Sequence, residues 1–107
     1  MLKRAAHPGE ILKDELAEIG VTPTELARQI DVPANRMSQI INAKRSITGD
    51  TALRLAHWFK TDPQFWMNLQ TQFDLVAADR VAGDAIKALP TCQASPGASE
   101  RPGRLQG

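Results

Sequence analysis

The chain has 107 residues, 42% of them hydrophobic and 23% charged, with 13 Lys+Arg against 12 Asp+Glu for a net charge of +1. That length suits one domain on the usual prior of roughly 100–200 residues, and the composition excludes fibrous and wholly disordered classes. The single Cys92 excludes an internal disulfide and a cysteine metal cage, and no apolar run approaches the ~18–20 residues of a membrane span.

Met1–His7 carries two charges with no apolar segment behind it, so no secretory signal is expected. With the lone cysteine, this suggests the reducing cytoplasm. Helical periodicity then runs from His7 to near Ala82. The first helix is expected to open at His7-Pro8-Gly9-Glu10, with proline where a helix lacks a hydrogen-bond partner anyway. Ile11, Leu12, Leu16 and Ile19 fall on one face, and Gly20 supplies a stop. A cap signal at Thr22-Pro23-Thr24-Glu25 starts the second helix, whose inner stripe is Leu26, Ala27 and Ile30. The third runs from Pro33 to near Asn42, with Met37, Ile40 and Ile41 inward. Thr48-Gly49-Asp50-Thr51 announces the fourth, with Leu53, Ala56 and either Leu55 or Phe59 toward the core. The fifth has Asp62 as cap and Pro63 in first position. Phe65, Trp66 and Leu69 are expected in the core, while Phe73, Leu75 and Val76 either complete it or form a dimer seam. Gly83 is the expected end, unless Ala85–Leu89 add a turn.

No segment alternates with period two, so the expected class is all-α, with five helices and no sheet. Pro90–Gly107 holds three prolines and three glycines around one large apolar residue, Leu105. Such a tail cannot offset its ordering entropy, so the expected organisation is a domain over 1–89 and a disordered tail over 90–107.

Charge is unevenly placed. Thr22–Lys60 holds six basic residues against three acidic ones, whereas both flanking helical stretches are net acidic. Pro33–Arg45 carries Arg36, Lys44 and Arg45 and no acid. Within this region, Thr24–Arg45 reads as two short helices joined by Asp31-Val32-Pro33, the arrangement of a helix-turn-helix. Ala27 is small where the helices approach, and Val32 plugs the turn. Asp31 sits where φ > 0 is favoured, and aspartate tolerates that region better than most side chains. A plain helical hairpin with a polar outer face shares part of this pattern; the small residue, the turn and the acid-free face together favour the DNA-binding motif.

The outward face of the third helix is left with Ala34, Asn35, Arg36, Ser38 and Gln39, the candidate base-contacting residues. Asn and Gln pair bidentately with adenine, Arg does so with guanine, and alanine can touch a thymine methyl. Lys44 and Arg45 follow as candidate phosphate anchors, and the hydroxyls of Thr24, Ser46 and Thr48 lie near helix starts suited to phosphate oxygens. A single short helix reads few base pairs, so a homodimer on an inverted repeat is expected, with half-sites about one helical turn apart.

Catalytic constellations are missing. His7 and His57 lie in different segments and Cys92 falls in the tail, so no metal-ligand spacing exists. There is no HExxH, phosphate-cradling glycine loop or nucleophile elbow. Asp14 and Glu15 are adjacent on a helix and diverge, and His57 reads as a partly buried structural residue. No enzyme activity, metal or cofactor is expected.

Three passages make the chain resemble the HigA (VapI-like) antitoxins, within the Xre-type, lambda-repressor-like helix-turn-helix superfamily. They are HPGEIL at His7–Leu12, the pair of helices at Thr24–Arg45, and QFWMNLQTQFDLVAAD at Gln64–Asp79 after Asp62-Pro63. The resemblance spans His7 to near Ala82. Asp31 stands in place of the usual turn glycine, and Ala43 in place of a common glycine after Asn42, which puts the path toward Lys44 in doubt. The tail lies outside the pattern and inherits no role. The resemblance implies a five-helix DNA-binding antitoxin that neutralises a cognate toxin, a RelE/HigB-like mRNA endonuclease, and represses its own operon on double-stranded operator DNA. A stand-alone Xre-type repressor without a toxin shares the DNA chemistry and remains the alternative.

Overall fold

The structure is a computed structural model that describes residues 5–93. Residues 94–107, most of the expected tail, lie outside the described residues. Five helices follow one another: α1 (Pro8–Ile19), α2 (Pro23–Ile30), α3 (Ala34–Ile41), α4 (Gly49–Phe59) and α5 (Pro63–Lys87), with no strand among the described residues. This is the lambda-repressor-like all-α arrangement. Helix α2 packs on α3, α1 lies against α3, and α4 packs along α5.

Four of the five helices begin where a side chain satisfies a free amide. His7 caps α1: its Nδ1 accepts from the Gly9 amide at 2.8 Å, and the Glu10 carboxylate accepts from the His7 amide at 3.5 Å. Thr22 caps α2 by accepting from the Glu25 amide, Thr48 caps α4 through Thr51, and Asp62 caps α5 through Gln64. Proline holds the first position of α1, α2 and α5, where its missing N–H loses nothing.

Helices α1 to α4 close through a left-handed residue, whereas α5 does not. Gly20 closes α1 at φ 74°, and Asp31 closes α2 at φ 60° as the turn requires. Val32 then donates to the Ala27 carbonyl at 2.9 Å and buries its side chain as the plug of the turn. Ala43 takes φ 61°, so alanine follows the left-handed path a glycine would take there. Its amide reaches the Ile40 carbonyl at 3.0 Å and the next amide, of Lys44, reaches Gln39 at 2.8 Å. These two bonds form the Schellman closure of α3, and they hold the path at a conformational cost of roughly 1–2 kcal/mol.

Leu12, Leu16, Leu26, Met37, Ile40 and Leu55 are fully buried, with Trp66 on α5 closing the core from below. The Trp66 indole donates to the Thr61 hydroxyl at 3.1 Å, so the largest core side chain also satisfies its one polar atom.

Several expectations need correction. Leu53 is 62% exposed; α4 turns Ala52, Leu55, Ala56 and half of Phe59 inward, which places Leu53 about 100° off the buried stripe. Phe65 is 45% exposed and only its ring meets Trp66, edge-on at 5.1 Å, because the stripe is centred on Trp66, Leu69, Phe73 and Val76. Ile19 lies half-exposed in the last turn of α1, beyond the reach of α3. Gly83 does not end α5, which runs unbroken to Lys87. Past Val76 this helix projects Val81 and Ile86 into solvent, and Leu89 beyond its end is exposed as well.

Gly9 explains one part of the HPGE opening. A methyl group built on it would sit 1.8 Å from the Ile40 carbonyl oxygen, so α1 approaches the backbone of α3 more closely than any side chain permits. Gly49, by contrast, has open space around the same position. Gly9→Ala should therefore destabilise the fold by about 1–3 kcal/mol, whereas Gly49→Ala should be neutral or stabilising by up to ~1 kcal/mol. Urea denaturation of both variants checks the contrast; equal stabilities would contradict the close approach.

Candidate nucleic-acid interface

Helix α3 holds its inner face by Met37 and Ile40, both fully buried. That anchoring turns Ala34, Asn35 and Ser38 fully outward and leaves Arg36 and Gln39 half-exposed. All five candidate base-contacting residues thus lie on the open face of one helix. After the Ala43 turn, Lys44, Arg45, Ser46 and Thr48 are exposed as well, with Ile47 buried between them. Arg45 Nε donates to Gln39 Oε1 at 2.7 Å, which joins the helix face and the loop into one continuous surface. Thr48 doubles as the cap of α4. Thr24 is exposed at the second position of α2, beside the Thr22 cap and on a different helix from the rest.

Charge follows the same division. From Pro33 to Thr48 there is no acid, so Arg36, Lys44 and Arg45 give this surface a local +3. Of the flanking acids, Glu25 pairs with Arg28 and Gln29 along α2 and Asp50 with Arg54 along α4 at 2.9 Å, while Asp31 stands exposed in the turn before α3. The Arg28 guanidinium and the Gln29 amide hold the Glu25 carboxyl below its ordinary range. A surface of amides, guanidinium and hydroxyls without carboxylates offers donors to phosphate and both donors and acceptors to base edges.

Four residues that shape this surface escaped the sequence reading. Ile47 buries itself and fastens the loop to the core. Gln70, 3% exposed on α5, accepts from the Ile47 amide at 2.8 Å through Oε1 and donates to Asp74 Oδ1 at 2.9 Å through Nε2. Arg54 Nη1 donates to the Ile30 carbonyl at 3.0 Å and so closes the end of α2. His7, 2% exposed, sets its ring edge-on to Phe73 at 4.8 Å and accepts from the Gly9 amide at Nδ1. The available signals were a lone isoleucine between Ser46 and Thr48, and a glutamine four residues after Trp66 in an apolar stripe.

His57 is exposed rather than partly buried. It lines a shallow cleft between α2 and α4 with Leu53 and Trp58, whose indole donates to Gln29 Oε1 at 2.7 Å. Among the described residues no group of three His, Cys, Asp or Glu side chains is placed to hold a metal ion. No described helix is long and apolar enough to cross a membrane.

Comparison with known proteins follows the same residues. A helix-turn-helix family model matches residues 12–66. Virulence-associated protein I of Dichelobacter nodosus is 44% identical over 77 residues, 71% of each chain. The structure of a HigA-family addiction-module antidote from Coxiella burnetii superposes with a TM-score of 0.81 at 44% identity, covering 84% of this chain and 99% of that one. The Pseudomonas aeruginosa antitoxin HigA, solved with the higBA promoter, superposes with a TM-score of 0.81 at 40% identity, covering 85% of this chain and all of that one.

Burial pushes the His7 imidazole below its ordinary value of 6.5, against the opposing pull of Glu10, Asp74 and the Arg45 backbone. The neutral ring is the one the fold accommodates, while the unfolded chain takes up a proton near 6.5. The stability contribution of His7 is therefore complete above that value and is lost as pH falls from it through the lower folded value. Thermal denaturation between about pH 7.5 and about pH 5.5 should show stability dropping on acidification, with a flatter profile in His7→Gln. Parallel profiles for the two proteins would contradict the assignment.

Proposed function

Because the chain belongs to the helix-turn-helix family and, within it, to the HigA (VapI-like) antitoxins, we propose that it binds the operator of its own gene pair and neutralises a toxin of the RelE/HigB-like mRNA endonuclease class. The observation that carries the DNA-binding half is the open face of α3, on which five polar or small side chains stand free of any acid. The promoter-bound P. aeruginosa relative supports the same half, and the antidote relative supports the toxin half.

Helix α3 enters the major groove with its N-terminal half nearest the bases. Asn35, Arg36 and Gln39 read base edges, with Ala34 and Ser38 filling the contact between them. Lys44, Arg45, Ser46 and Thr48 grip the phosphate backbone on one side of the groove, and Thr24 does so from the start of α2. The bond from Arg45 to Gln39 orients the glutamine before DNA arrives. A carbonyl oxygen has two lone pairs, so Gln39 Oε1 can keep that bond while it accepts from an adenine amino group. Two copies on an inverted repeat extend the recognised sequence, with half-sites about one helical turn apart.

Fluorescence anisotropy with the protein's own promoter duplex tests the DNA half. Arg36→Ala should cost about 1–3 kcal/mol and relax preference at one base position. Lys44→Ala should weaken all sequences alike and flatten the salt dependence by about one unit of slope. Unchanged operator preference in Arg36→Ala would overturn the base-reading assignment. Co-expression with the adjacent gene tests the toxin half: growth arrest relieved by this protein is the expected outcome.

A further inference from the structure

We infer that Gln70 is a positioning residue that pre-sets the phosphate-gripping loop from within the core, a role that rests on the operator-binding reading above. The loop between α3 and α4 carries Lys44, Arg45, Ser46 and Thr48 on its outside, and a loop of this kind is free to move unless its backbone is tied down. Here it is tied from beneath. The Ile47 amide, buried with its side chain, finds its acceptor on α5, 23 residues along the chain, in the Gln70 side chain. Gln70 in turn is oriented by Asp74, one turn further along α5, so its carbonyl end is aimed at the loop and its amino end away from it. Asp74 lies one helical turn from Gln70 on α5, next to Phe73, whose ring meets the buried His7 edge-on at 4.8 Å.

The fastening at Ile47 lies between Ser46 and Thr48. It fixes the backbone whose side chains face outward, so the anchors are ordered before binding and little entropy remains to be lost on the DNA. An apolar residue at position 70 could fill the same space, but it would leave the Ile47 amide buried without a partner. The polar side chain in the stripe is therefore accounted for by the loop rather than by packing.

The test is promoter binding by the full chain across a salt series, with two variants. Gln70→Leu should bind about ten-fold more weakly and flatten the slope of log affinity against log salt by about one. Gln70→Glu combined with Asp74→Asn keeps an acceptor for Ile47 and a hydrogen bond between positions 70 and 74 at unchanged net charge, and should retain the wild-type slope. Adding Lys44→Ala to Gln70→Leu should have a smaller effect than adding it to wild type, because both act on the same contact. A residue that served packing alone would lower the melting temperature of Gln70→Leu while leaving the salt slope of the folded protein unchanged, and that result overturns the inference. Should Gln70→Leu not fold, hydrogen exchange on the wild-type protein decides: a protected Ile47 amide together with a wild-type slope in the Gln70→Glu, Asp74→Asn pair upholds the role, and an Ile47 amide exchanging as fast as exposed loop amides overturns it. Failure of the wild-type protein to bind its promoter would instead overturn the operator-binding reading, while Ile47 exchange would still report on the fastening.

Discussion

Helix α3 is eight residues long, well short of the ~12–15 residues at which an isolated helix becomes even marginally stable in water. It also lacks a side-chain cap at its start. Its orientation is therefore wholly a tertiary product. Met37 and Ile40 sink into the core, the left-handed Asp31 fixes its entry angle, and the backbone of α1 at Gly9 presses on the Ile40 carbonyl. Everything proposed for the outer face follows from this grip. A helix rotated by one residue, about 100°, would turn Asn35 or Arg36 inward and expose Met37.

The same grip explains why a nearly neutral chain can present a basic surface. The acids are distributed away from α3: Asp14, Glu15 and Glu18 are exposed on α1, and α5 carries Asp74, Asp79 and Asp84. A chain of net charge +1 thus keeps a stretch from Pro33 to Thr48 that carries three cations and no acid. Such a distribution orients a molecule approaching a polyanion, and it does so without the non-specific adhesion that accompanies a strongly basic chain.

Much of this was legible in the sequence, for reasons of local chemistry. Thr22-Pro23 and Asp62-Pro63 are caps whatever surrounds them, and Gly20 and Asp31 took the left-handed conformations their residue types favour. The face of α3 could be assigned because Met37 and Ile40 leave only one side apolar. Where the reading failed, the deciding partner lay far away in the chain. Leu53 is as apolar as Leu55, and only the position of α2 and α5 around α4 selects between them. Phe65 neighbours Trp66, and α5 can point one of them squarely inward. Gln70 looks unremarkable as sequence; its importance arises because the loop amide that it holds, at Ile47, lies 23 residues before it. Ala43 defied its residue type, since the pair of closing bonds at the end of α3 outweighs the strain of a left-handed alanine.

The most direct test of the central claim is an NMR titration of the protein with a duplex from its own promoter, following backbone amides and the side-chain amides of Asn35 and Gln39. The account requires the largest changes at Asn35, Arg36, Gln39 and across Lys44–Thr48, with the α1 residues Asp14, Glu15 and Glu18 undisturbed. Changes concentrated on α1 or in the cleft between α2 and α4, with the α3 signals unmoved, would contradict it.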